Sequence, residues 1–235
     1  MATTAYSGIF LYVPRVRPLP CKAEIPLADT MEELAKLKEE GKIKHIGVCN
    51  FGPADVRELL RIGVPVVSNQ LSYGLLWRGI EHELLQLCAD NGIGIMAWGS
   101  LQQGLLCGKY KTADDVPPGR ARNRLFSSSR PQQRHGEAGL EIETFAAVEE
   151  VRKIAADVSR PMAEVSLAWV LQQPHMTMCL MGARNGDMLT SNLPAVKDKL
   201  DAATVAKLSA VTNDVKDKLG LNLDSYETLE HTRIV

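Results

Sequence analysis

The chain has 235 residues, 45% hydrophobic and 23% charged. That is enough for one domain over residues 1–235 with a sizeable core, and the composition excludes a disordered or fibrous chain. With 27 basic against 28 acidic residues, no overall field recruits nucleic acid or a membrane surface, and five scattered cysteines without CxxC spacing argue against a zinc ribbon or disulfide framework.

The first apolar run, IFLYV at 9–13, reads as a strand, too short for a signal-peptide core or a membrane span. With the reduced cysteines, it makes the cytoplasm the expected compartment. Asp29 followed by Glu32 predicts a capping box opening a helix with Met31, Leu34 and Leu37 on its apolar side, ended by Gly41. HIGV at 45–48 is a short buried strand. Gly52-Pro53 starts the next helix, with Val56, Leu59 and Leu60 inward and Gly63 as its stop. VPVVS at 64–68 predicts another strand, and Ile80, Leu84, Leu87 and Cys88 the stripe of a following helix.

IGIMAW at 93–98 is a strand. From Gly99 the pattern gives way to a long loop, polar and Pro/Gly/Ser-rich between Lys111 and Gly136, expected to be a mobile active-site loop. Helices are predicted over 140–158 and 162–172, a strand at 176–181, a short helix at 185–193 and one final helix over 201–219. Strands alternating with helices imply parallel βα units, and no GxGxxG follows any strand, which disfavours an open Rossmann sheet against part of a (β/α)8 barrel. His45, His82, His135, His175 and His231 read as surface or turn histidines, and no spacing suits a metal.

Four stretches, in order, resemble the aldo-keto reductase family: PLADTMEELAKLKEEGKIKHIGVCNF at 26–51, SNQLSYGL at 68–75, GIGIMAWGSLQQGLLCGKY at 92–110 and GARNGDMLTSN at 182–192. The resemblance covers about residues 8–215. It implies an α/β fold, the C-terminal part of a (β/α)8 TIM barrel lacking the first three strands, and NADP(H) bound across the C-terminal mouth. Asn50 and Gln70 then correspond to amides that hold the nicotinamide carboxamide, Cys49 stands where the family usually has Ser, and Trp98 at the aromatic position that stacks on the ring. The loop carrying Gly99, Leu101 and Gly104 and the segment from Gly182 to Asn192 correspond to the phosphate-binding loops, with Arg184 facing the 2′-phosphate and Asn192 the adenine. Met188 departs from the family's usual Arg or Gln, which implies a weaker NADP preference.

The family reduces carbonyls with a Tyr, a Lys, an Asp and a His. The first three belong to a part of the barrel upstream of this sequence. Matching LYVPRVRP at 11–18 to the family pattern puts Pro14 at the His position. The resemblance therefore implies reduction of a small aldehyde or ketone at the level of the family, with no catalytic residue assigned in this chain. A non-catalytic nucleotide-binding or interaction protein and an incomplete gene product stay open as alternatives. A barrel without its first strands would leave two strand edges to self-associate.

Overall fold

In the computed structural model, which describes residues 10–14, 26–232 and 234, five parallel strands lie in sequential order. They are β1 (Phe10–Pro14), β2 (His45–Cys49), β3 (Ser68–Ser72), β4 (Gly94–Trp98) and β5 (Met176–Cys179). Sequential order requires every connection to cross over the same face, and helices fill that role: α1 (Leu27–Glu39), α2 (Pro53–Ile62), α3 (Leu84–Asp90), then α4 (Glu141–Asp157) and α5 (Met162–Leu171). After β5 come α6 (Gly186–Asn192), α7 (Pro194–Lys197), α8 (Ala202–Val211) and α9 (Asn213–Leu219).

The two faces of the sheet differ. Ile46, Val48, Leu71, Ile95 and Ala97 are buried beneath the helices, in one core with Val56, Leu84, Val165 and Trp169. On the opposite face, Cys49 pairs in register with Gln70, Gln70 with Met96 and Met96 with Met178, and all four are partly or fully exposed. The alternation of strand side chains thus leaves one row of the sheet open.

Several predicted boundaries move, each for a physical reason. The first strand covers Phe10–Pro14, while Ile9 of the expected 9–13 lies outside the described residues. Helix α1 begins at Leu27, not at Asp29: Pro26 precedes it, and Asp29 falls in the first turn, where its charge complements the helix N-terminus. Helix α2 starts as expected at Pro53, with the Asp55 carboxylate accepting from Gly52 N–H at 3.3 Å, and ends at Gly63 in the left-handed region. Leu60 faces outward, 41% exposed, because it lies off the Val56–Leu59 stripe. The strand expected at 64–68 is β3 at Ser68–Ser72, carrying polar residues; Val67 N–H already donates to Ile46 O and Val67 O accepts from Gly94, so pairing on both sides, not β propensity, sets the ladder.

The helix predicted over 201–219 breaks at Thr212. The buried Arg78 guanidinium donates there to Ser209 O (2.7 Å), Thr212 Oγ1 (3.0 Å) and Asn213 Oδ1 (2.9 Å), drawing the ladder apart. The long loop is anchored, contrary to the mobile segment expected. Arg152 on α4 donates to Gly108 O and Tyr110 O, Arg130 pairs with Glu141, and Arg124, only 5% exposed, pairs with Glu137 and donates to Leu219 O and Asn222 O. His135 is buried as well, not a surface histidine, and is held at 3.2 Å from Asn123 O.

Candidate functional site

The site begins where β2, β3 and β4 end. At the end of β2 the chain turns through Asn50, whose φ of +58° is in the left-handed region that Asn tolerates better than most side chains. Two bonds hold that turn: Asn50 N–H donates to Gln70 O at 2.9 Å, and buried Asn69 brackets Phe51, its Nδ2 donating to Phe51 O at 2.8 Å and its Oδ1 accepting from Phe51 N–H at 3.4 Å. The turn is therefore built by β3.

Side chains then meet across the strand ends. The Cys49 thiol donates to Gln70 Oε1 at 3.2 Å, and the Trp98 indole N–H donates to Asn50 Oδ1 at 3.3 Å. Burial pushes the Cys49 thiol pKa up, so it stays a protonated donor near neutral pH. Cys49, Asn50, Gln70 and Trp98 are all half-buried, which leaves two amides and an indole face reachable from solvent. Their donors and acceptors suit a planar carboxamide beside an aromatic ring.

Next to them opens a cleft of about 360 Å³ between the loop after β4 and the segment after β5. Gly99, Leu101 and Gly104 line one wall, Gly182, Arg184 and Met188 the other. The first wall is fixed to β3: Ser100 Oγ donates to Tyr73 O at 2.8 Å, and a Cβ on Gly74 would lie 2.7 Å from Ser100 O, so only glycine lets the loop approach. Gly104 has φ +101° and also requires glycine. At Gly182 a Cβ would meet nothing within 4 Å, so the cleft has room directly over that backbone.

Electrostatically the cleft is one-sided. Lys109, Arg120 and Arg184 line it and, among the described residues, no carboxylate does. Arg120 donates to the Tyr110 hydroxyl at 3.0 Å and to Gln103 O, while Lys109 and Arg184 have no ion-pair partner among the described residues. Such a hollow fits an anionic ligand. Cys107 shares the lining; burial raises its pKa and the three cations only partly oppose that, so it is no activated thiolate.

Asn192 is not in this cleft. It is 7% exposed and lines a smaller neighbouring hollow with Cys179, Leu193 and Val196. Lys109 and Arg120 were not assigned to the site from the sequence, although Lys109 lies in the GKY of a recognised stretch; only the folded loop brings Arg120 back over Gln103. Tyr73 is fully buried, and burial together with Glu81, to which its hydroxyl donates at 2.8 Å, pushes its pKa far up, so it is a structural phenol. Among the described residues there is no cluster able to hold a metal ion and no helix long and apolar enough to cross a membrane.

A profile of the Aldo/keto reductase family matches residues 12–213. The NADH-specific methylglyoxal reductase of Escherichia coli (strain K12) is 33% identical over 178 residues, covering 76% of this chain and 51% of the relative. Aldo-keto reductase yakc [NADP(+)] of Schizosaccharomyces pombe is 30% identical over 188 residues, covering 79% of this chain and 53% of that protein. The chain thus spans about half the length of the curated relatives it matches. The glycerol dehydrogenase AKR11B4 from Gluconobacter oxydans superposes with a TM-score of 0.70 at 23% identity, over 87% of this chain and 58% of that one, a likeness of fold. The chain belongs to the aldo/keto reductase family.

Proposed function

We propose that this chain is the cofactor-binding part of an NADP(H)-dependent aldo-keto reductase that reduces a small aldehyde or ketone to an alcohol. The observation that carries the reading is the junction of two surfaces: Cys49, Asn50, Gln70 and Trp98, hydrogen-bonded at three strand ends, beside a cleft that among the described residues has three cations and no carboxylate. When bound, the dinucleotide would supply hydride. Asn50 and Gln70 hold its carboxamide, and Trp98 covers one face of its ring and excludes water there. Gly99, Leu101, Gly104 and Gly182 let its phosphates approach the backbone, and Arg184 forms a forked pair with the 2′-phosphate. Asn192, the last residue of α6, lies in the neighbouring hollow and is not among these contacts. Met188, apolar at the edge of the cleft, keeps the preference for NADP(H) over NAD(H) modest. Of the two relatives above, one is named for NADH and one for NADP(+), so the cofactor follows from the residues of this cleft.

The residues at hand bind and orient; none is assigned to move a proton. Pro14, in register with Cys49, carries no exchangeable proton where the family's His would stand. This single domain, cytoplasmic and equivalent to a partial barrel, is accordingly silent in turnover by itself. The test is fluorescence titration with NADPH and NADH. NADPH is expected to bind more tightly, and Arg184→Ala to weaken it by about tenfold, the size of one charge-assisted contact, with little change for NADH. Equal affinities unaltered by that substitution refute the cofactor assignment, and NADPH oxidation with a panel of aldehydes that disappears in Gln70→Ala refutes the silence.

A further inference from the structure

A second hollow, of about 260 Å³, opens between the long loop and the C-terminal tail, lined by Arg122, Gln132, Arg134 and Tyr226. Two guanidinium groups, an amide and a phenol can all donate hydrogen bonds, and among the described residues no carboxylate lines the hollow. The neighbouring loop arginines are committed elsewhere, Arg124 to Glu137 and Arg130 to Glu141 and Asp114. Arg122 and Arg134 have no ion-pair partner among the described residues.

The backbone frame explains how two like charges come to face one space. The Gln133 side-chain amide donates to Ala121 O, and His135 Nε2 lies 3.2 Å from Asn123 O. These two rungs flank Arg122 on one strand of the loop and Arg134 on the other. Ala121, Asn123 and His135 are buried, at 1%, 2% and 4% exposure, so the arginines between them are directed outward on a fixed base. Arg124 N–H donates to Ser225 O at 2.9 Å, and Tyr226 N–H to Asp224 Oδ1 at 3.0 Å, which brings the tail in as the third wall. Gln132 holds φ +69°, a strained conformation for a non-glycine residue of the kind that concentrates at ligand clamps. Gln103, which lines the cofactor cleft, donates from Nε2 to the Tyr226 hydroxyl at 3.0 Å, so the two hollows share a wall. Paired, uncompensated guanidinium groups on a rigid frame repel one another until an anion sits between them.

We propose that Arg122, Gln132, Arg134 and Tyr226 form an oxyanion site distinct from the dinucleotide cleft, taking the carboxylate or phosphate group of a small molecule. The site is independent of dinucleotide binding and is tested without it. Calorimetric titration of the full chain with succinate, with inorganic phosphate and with neutral succinamide separates the two oxyanions and controls for non-ionic binding. Succinate or phosphate should bind and succinamide should not. Arg122→Gln/Arg134→Gln should weaken succinate binding by about tenfold or more, whereas Arg184→Ala in the neighbouring cleft should remove only a separate phosphate site and leave succinate binding unchanged. If the double variant does not give a cooperative thermal transition, Arg134→Lys, which keeps the charge and loses the forked geometry, serves in its place and should weaken binding too. Absence of any oxyanion binding, succinate affinity unmoved by these substitutions, or succinate affinity lost instead in Arg184→Ala would each overturn the proposal.

Discussion

Asn69 shows how one side chain can set a site without facing a ligand. It is fully buried, and its amide closes two bonds on Phe51, the residue after Asn50. Asn50 in turn sits at φ +58° with its Oδ1 on the Trp98 indole. Asn69→Ala would strand the N–H and C=O of Phe51 in the core. A loss of about 1–3 kcal/mol is expected, read as a shift in the urea midpoint without a change in slope. Dinucleotide affinity should fall with it, since the turn that presents Asn50 relaxes; Gln70→Ala, on the exposed face of the same strand, should cost affinity and little stability.

Among the elements, the junction between the long loop and α4 carries a pH dependence. Glu141, at the first position of α4, accepts from Arg130 and from Ser127 N–H, and the Arg130 guanidinium beside it is the largest cause that holds its pKa below the ordinary carboxylate value. A carboxyl whose pKa is lower in the folded chain stabilises the fold fully above its unfolded value, about 4.3, and loses that contribution as pH falls through the folded value. The loop that carries Arg122 and Arg134 should therefore loosen in acid before the sheet does. Thermal unfolding followed from about pH 6 down to about pH 3 should show a steeper decline in the native chain than in Glu141→Gln. Parallel curves would mean that the Arg130–Glu141 pair contributes nothing to the fold.

For the whole molecule the open face is the dominant feature. Among the described residues β1 pairs with β2 alone and β5 with β4 alone. Around β5 the surface is apolar: Met178 is 44% exposed, Leu189 45%, Leu193 49% and Val196 68%. Unpaired backbone beside exposed apolar side chains is a template for another polypeptide. The 235-residue chain should self-associate, and Val196→Asp together with Leu193→Asp should shift it toward monomer in sedimentation experiments. A monodisperse monomer for the unsubstituted chain would rule this out.

The alternation of strands and helices and the Gly52-Pro53 start and Gly63 stop of α2 were legible in the sequence, because each depends on local chemistry, whereas the meeting of Cys49, Asn50, Gln70 and Trp98 at strand ends was implied only by the family resemblance. The strand at Ser68–Ser72, the break at Thr212, the burial of His135 and Arg124 and the withdrawal of Asn192 from the cleft were not legible. Each is decided by partners far along the chain: Ile46 and Gly94 for β3, Arg78 for Thr212, Asn222 and Leu219 for Arg124. The same holds for the second hollow. A run of loop arginines looks uniform in one dimension, and only the rungs from Gln133 to Ala121 and from His135 to Asn123, with the tail behind them, divide it into cations that brace the fold and cations left to face a ligand.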